Sequence, residues 1–123
     1  MATLVDPEFL AKLNALNEKF EACLPETIGR LSLARSAFNA AAPDPGLTAR
    51  MHEVLHTIAG SAATFGFRTL GQQARELEQQ ARILMALERV PEGEWDAWLA
   101  ALDRYLSWAE LDPKAVYTDG DRT

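Results

Sequence analysis

The chain carries two histidines, His52 and His56, spaced so that a helix would stack one above the other a single turn apart. An imidazole with an ordinary pKa near ~6.5 offers a neutral, nucleophilic nitrogen at cellular pH, which suits either group transfer or metal ligation. Each chemistry has a reading. His52-Glu53-Val54-Leu55-His56 reads as H-E-x-x-H, the zinc helix in which two histidines bind metal and the glutamate acts as base. Glu76, twenty residues after His56, stands where a third ligand would be sought. This alternative, a small zinc metalloprotease, lacks a third histidine and any predicted strand on which to lay an extended substrate.

Group transfer depends on which way His56 points. With residues placed at ~100° intervals, Met51, Val54, Leu55, Ile58, Ala62 and Phe65 fall within an arc of about 100° that marks the buried face of a helix. His56 lies about 150° from the centre of that arc, Gly60 about 170°, Ala63 about 130°, His52 about 110° and Ala59 about 90°. His56 is therefore predicted to face water, and the small side chains of Ala59, Gly60 and Ala63 leave room for another macromolecule beside it. An exposed glycine inside a helix costs roughly 1 kcal/mol relative to alanine, so Gly60 calls for a reason. That reason is either close packing of a neighbouring helix or space for a docking partner.

The elements that would hold these residues are almost all helical in period, with no Asn-Gly or Asp-Gly hairpin turns between alternating runs. A first stretch opens at Asp6, an N-cap, followed by Pro7 at the first helical position. It carries Phe9, Leu13, Leu16, Phe20 and Leu24 at steps of three and four. Pro25 then either kinks one long helix or begins a second one, since Ile28, Leu31, Ala34 and Phe38 continue the pattern. Ala40 to Gly46 is a break. The histidine stretch runs from about Leu47 to Phe65 and closes at Gly66, where a left-handed C-terminal residue is expected. Phe67, Leu70, Ala74, Leu77, Ala81 and Leu84 form a 3,4 seam on the next stretch. After a break at Val90 to Gly93, Trp95, Trp98, Leu99, Leu102, Leu106 and Ala109 share a face until Asp112-Pro113; Trp108 falls off that face.

These stretches predict an all-α fold, an antiparallel up-down four-helix bundle over residues 1–113, with a short or kinked extra N-terminal helix left open and a C-terminal tail or linker at 114–123. The length of 123 residues suits one domain, and the tryptophans and Phe20 are read as core. Eighteen acidic against twelve scattered basic residues give a net charge of −6, which argues against nucleic acid as a partner. The single Cys23 has no pairing partner and is read as a small buried apolar residue. With no signal-peptide pattern and no apolar run long enough for a bilayer, the expectation is a cytoplasmic protein without a membrane, and a monomer, because the apolar faces are used by the bundle.

The run His56-Thr57-Ile58-Ala59-Gly60-Ser61-Ala62-Ala63-Thr64-Phe65-Gly66, followed by Leu70 and Leu77-Glu78, resembles the signature of histidine-containing phosphotransfer (HPt) domains. That signature has Gly-Ser four and five residues after the histidine, a second glycine at ten, leucine at fourteen and a Leu-Glu pair on the following helix. The resemblance extends more loosely to Phe20 through Leu31. It implies a carrier that accepts a phosphoryl group on His56 from a receiver-domain aspartate, or from a kinase, and passes it to another receiver aspartate. The implied partners are the receiver domain of a response regulator and a sensor or hybrid histidine kinase.

It further implies that Gly60 leaves space for receiver loops, that Gly66 serves the turn, and that Ser61, Gln72 or Gln73 hydrogen-bond near the imidazole or the helix termini. His52, Ala59 and Ala63 complete the docking surface. Many relatives carry Lys or Arg where this chain has Ala59, so charge neutralisation is expected to fall to the receiver's Mg²⁺ and lysine, with Arg68 or Arg75 as substitutes from this chain. No cofactor of its own and no autonomous kinase activity are expected, since no Walker motif occurs. A helical interaction domain without phosphorylation is the remaining alternative.

Overall fold

A computed structural model describes residues 7–111. Asp6, the Asp112-Pro113 stop and the 114–123 tail lie outside the described residues. Four α-helices follow in chain order: α1 Pro7–Ala37, α2 Pro45–Ser61, α3 Arg68–Ala86 and α4 Glu94–Leu111, with a 3-10 turn, Ala62–Phe65, between α2 and α3. Packing runs around a ring, α1 on α2, α2 on α3, α3 on α4 and α4 on α1, and the diagonal pairs make no close backbone approach. This is the predicted all-α four-helix bundle.

Pro25 begins no second helix, because α1 continues through it. Pro25 is exposed, so the missing backbone donor weakens the ladder on the side where water can replace it. Asp44 caps α2, its Oδ1 accepting from the Gly46 backbone N–H at 2.8 Å, with Pro45 at the first helical position. The end of α2 tightens into the 3-10 turn and stops at Gly66, whose φ of 89° is left-handed. There the Phe67 N–H donates back to the Ala62 carbonyl at 2.9 Å, closing the turn that sends α3 back along α2.

The core is a ladder of side chains from all four helices, including Leu31, Met51, Leu55, Ile58, Leu70 and Leu102, each essentially inaccessible. Two side chains of α4 fasten it to α3 by polar contacts inside that core. Trp98 Nε1–H donates to the Leu77 carbonyl at 3.0 Å, and Tyr105 O–H donates to the Leu70 carbonyl at 3.0 Å. Each satisfies a polar atom that would otherwise be buried alone. Burial pushes the Tyr105 phenol well above its usual pKa. Trp108 is half-buried and tilts onto Tyr105, so it belongs to the margin of the core.

Two sequence expectations change. Cys23 is exposed, one residue outside the buried position taken by Leu24. The apolar seam of α1 is buried only from Leu24 onward: Phe9 and Leu16 are 57% and 51% exposed, and Leu13 and Phe20 are half-buried. Phe20 explains the boundary, because it stacks on Phe65 at 5.1 Å and meets Phe67 at 5.2 Å, the last layer that the α2–α3 turn can offer. From Phe20 back to Pro7, α1 continues for about 20 Å at helical rise. Periodicity reports which residues share a face; it does not report whether a partner is there to cover it.

Candidate functional site

His56 stands on α2 with 68% of its side chain exposed, as the helical spacing predicts. It is not an isolated surface group. Its Nδ1 lies 3.3 Å from Oε2 of Glu78 on α3, and the same oxygen lies 3.0 Å from Nε2 of His52. Arg82, one turn further along α3, donates from Nη2 to that oxygen as well. The two imidazoles stand nearly parallel, 6.2 Å apart, over one carboxylate that is itself buried. His52 Nε2 is close to Glu78 without being aligned for a hydrogen bond, so the contact is an electrostatic one.

Burial alone would raise the Glu78 pKa. Arg82, by hydrogen bond and charge, together with His56 and His52, outweighs that effect and holds the carboxyl below the usual Glu range. Glu78 is therefore an anion at neutral pH, and it lies against the Nδ1 side of His56. An anionic acceptor at Nδ1 favours the tautomer with hydrogen on Nδ1 and a lone pair on Nε2. Nε2, on the far side of the ring, has no partner among the described residues.

The surroundings sort the remaining residues. Gly60 is exposed, and a Cβ there would meet nothing within 4 Å, so its absence serves no contact inside the bundle. Ala63 is exposed on the same side. Ala59 is not part of the surface patch: it is 6% exposed, closed off by α3, and Arg75 donates from Nη2 to its carbonyl at 3.2 Å. Ser61 donates from Oγ to the Thr57 carbonyl at 2.8 Å, which serves the end of α2 and not the imidazole. Gly66 occupies the left-handed turn position described above.

Arg68 opens α3, which rises about 15 Å between it and Glu78. Among the described residues no hydrogen bond joins Arg68, Gln72 or Gln73 to His56. Glu53 faces the α1 side of α2, lining a shallow pocket with Arg30 and Arg50, while both histidines face α3. The three members of the H-E-x-x-H pattern thus do not converge, and no group of three or more metal-ligating side chains suited to a metal is found among the described residues.

Glu78 stands within the motif without a role assigned by residue type and spacing, and Arg82 has none either. The signal was present: Glu78 lies four residues after Ala74 and three before Ala81, on the buried seam, and Arg82 follows it at i+4. A second glycine was also missed. A Cβ on Gly71 would sit 3.1 Å from Ala62 Cβ and 3.4 Å from the Ala63 backbone nitrogen, so this is the position where the lack of a side chain lets α3 approach the end of α2.

With the fold and this geometry in view, the comparison with known families is direct: residues 11–108 match the model of the Hpt domain. The chain belongs to that family. Hpt domains are phosphocarriers of two-component signalling that interact with receiver domains and kinases. No curated protein and no solved structure gives a significant match. No helix among the described residues is long and apolar enough to cross a membrane.

Proposed function

We propose that His56 is the phosphoacceptor of a phosphorelay carrier, taking a phosphoryl group from a receiver aspartate or a kinase and passing it to another receiver aspartate. One observation carries the reading: His56 is exposed while its Nδ1 lies 3.3 Å from a buried carboxylate, which leaves Nε2 as the ring nitrogen without a partner among the described residues. With a receiver aspartate as donor, the lone pair of Nε2 attacks phosphorus in line, the N–P bond forms, the P–O bond to the donor breaks, and the donor carboxylate leaves. Nε2 has no proton to lose. The ring becomes cationic with hydrogen retained on Nδ1, and Glu78 stabilises that charge. Such a step asks for positioning and charge neutralisation more than for covalent assistance.

Arg75 and Arg82 supply positive charge from α3 in place of the basic residue that Ala59 replaces. Arg75 is already at the Ala59 carbonyl, and Arg82 is 63% exposed beside Glu78. The receiver docks over Gly60 and Ala63, with His52 at the edge of the contact, and brings its own Mg²⁺. The setting proposed for this exchange is the cytoplasm.

The test is incubation with a phosphorylated receiver and detection of acid-labile, alkali-stable label on the chain. Label that survives His56→Gln, or failure with every cognate receiver, would falsify the reading.

A further inference from the structure

At the end of the bundle where α1 and α3 finish, the two loops 38–44 and 87–93 enclose an open groove of about 1070 Å³. Its floor is made by Phe38 and Trp95, whose rings lie 5.3 Å apart. Its wall is apolar and open to water, with Met85 41% and Leu87 43% exposed. A polarizable, unbranched methionine in such a wall adapts to side chains of different shape.

The rim carries Glu88, Glu92 and Asp96, none of which forms an ion pair among the described residues. The lining has one cation, Arg35, and it is already held by Asp103 through two hydrogen bonds of 2.8 and 3.0 Å. The groove therefore combines an apolar contact surface with three carboxylates that no cation of its lining pairs, the exposed Arg89 of the 87–93 loop lying outside that lining. An apolar side chain seated against Met85 and Leu87 is removed from water, and flanking cations meet the three carboxylates, a pairing that favours encounter and sets orientation.

We propose that this groove docks a basic segment of a partner protein, one in which Lys or Arg residues flank a single apolar anchor. A second copy of this acidic chain suits it poorly. Seating the α1 overhang of one copy in the groove of the next would be a head-to-tail contact, which forms a ring or an open filament and not a simple symmetric dimer. Along α2, Pro45 at the groove and His56 are separated by about 16 Å of helix, so a segment bound here leaves the imidazole uncovered. Two contacts on one partner would raise the effective concentration of its second module at His56.

The experiment titrates the whole chain into three fluorescein-labelled ten-residue peptides. One carries Lys and Arg around a single Leu, one has Glu in place of every cation, and one has Ser in place of Leu. The first is expected to bind, with amide shifts confined to the groove around Leu87 and Trp95, and the other two to bind at least tenfold more weakly. The E88Q/E92Q/D96N variant should weaken the first peptide at least tenfold, and M85S/L87S should do so without changing the salt dependence. The proposal is overturned by no binding of the first peptide, by equal binding of either control peptide, by affinity unchanged in E88Q/E92Q/D96N or in M85S/L87S, by shifts on another surface, or by self-association of the chain through the groove.

Discussion

The α2–α3 face around His56 and the loop end around Trp95 differ in how their charges are arranged. At the first, one buried carboxylate gathers two imidazoles and a guanidinium, so each charged group has a fixed place. At the second, three carboxylates surround an apolar wall and the nearby arginine is engaged elsewhere. The difference separates two uses of surface charge. A group that must present one nitrogen in one direction needs its other contacts made within the protein. A surface that recognises a partner keeps its contacts unmade until the partner arrives.

The contrast breaks most visibly at Glu78. Glu78→Ala leaves His52, His56 and Arg82 without their shared acceptor, and transfer to the chain should fall on the order of 10²-fold, as when one preorganised partner of a developing charge is lost. Glu78→Gln, which keeps an oxygen available beside Nδ1 but carries no charge, should fall less. Transfer timed by phosphate-affinity gels from a phosphorylated receiver measures both. Equal rates for wild type and Glu78→Ala would remove Glu78 from the account.

The same residue gives a pH signature. Its carboxyl titrates lower in the folded chain than in the unfolded one, so the stabilisation is complete above the ordinary Glu pKa of ~4.3 and is lost as pH falls through the lowered value. Denaturant unfolding of wild type and Glu78→Gln should differ at neutral pH and converge in acid. A gap that widens in acid contradicts the sign.

Glycine positions sharpen the comparison within the site itself. Gly66→Ala forces a side chain into a left-handed conformation and should cost about 1–2 kcal/mol in denaturant unfolding. Gly60→Ala meets open space and should gain up to about 1 kcal/mol, because the helix prefers alanine there. Gly60→Gln should fold as well as wild type yet slow transfer from the receiver, a split between stability and rate that assigns the glycine to docking.

The smallest effect belongs to the loop end. E88Q/E92Q/D96N breaks no ion pair among the described residues, so its denaturant unfolding should stay within ~0.5 kcal/mol of wild type. A marked slowing of transfer in this variant would mean that the two regions act as one.

Much of the arrangement around α2 was legible from residue type and spacing. The wheel put His56 and Gly60 in water, and Gly66 marked the turn, because burial on a helix follows angle and left-handed backbone follows glycine. Ala59 was misplaced for a tertiary reason: at about 90° from the core direction, its burial is decided by how close α3 comes, and Gly71 brings it close. The exposure of Phe9 and Leu16 was equally out of reach, since their periodicity is that of buried residues and their cover depends on where the α2–α3 turn ends. Glu78 could have been found, as a charged residue set into an apolar seam opposite a histidine stretch.

The most direct test of the account reads the two nitrogens of His56 separately. Long-range nitrogen–proton spectra of the ¹⁵N-labelled chain should show His56 with hydrogen on Nδ1 and a bare Nε2. After reaction with a phosphorylated receiver, phosphorus coupling should appear on Nε2 with Nδ1 still protonated. Hydrogen on Nε2 before transfer, or phosphorus on Nδ1 after it, would contradict the assignment of Glu78 as the group that aims the nucleophile.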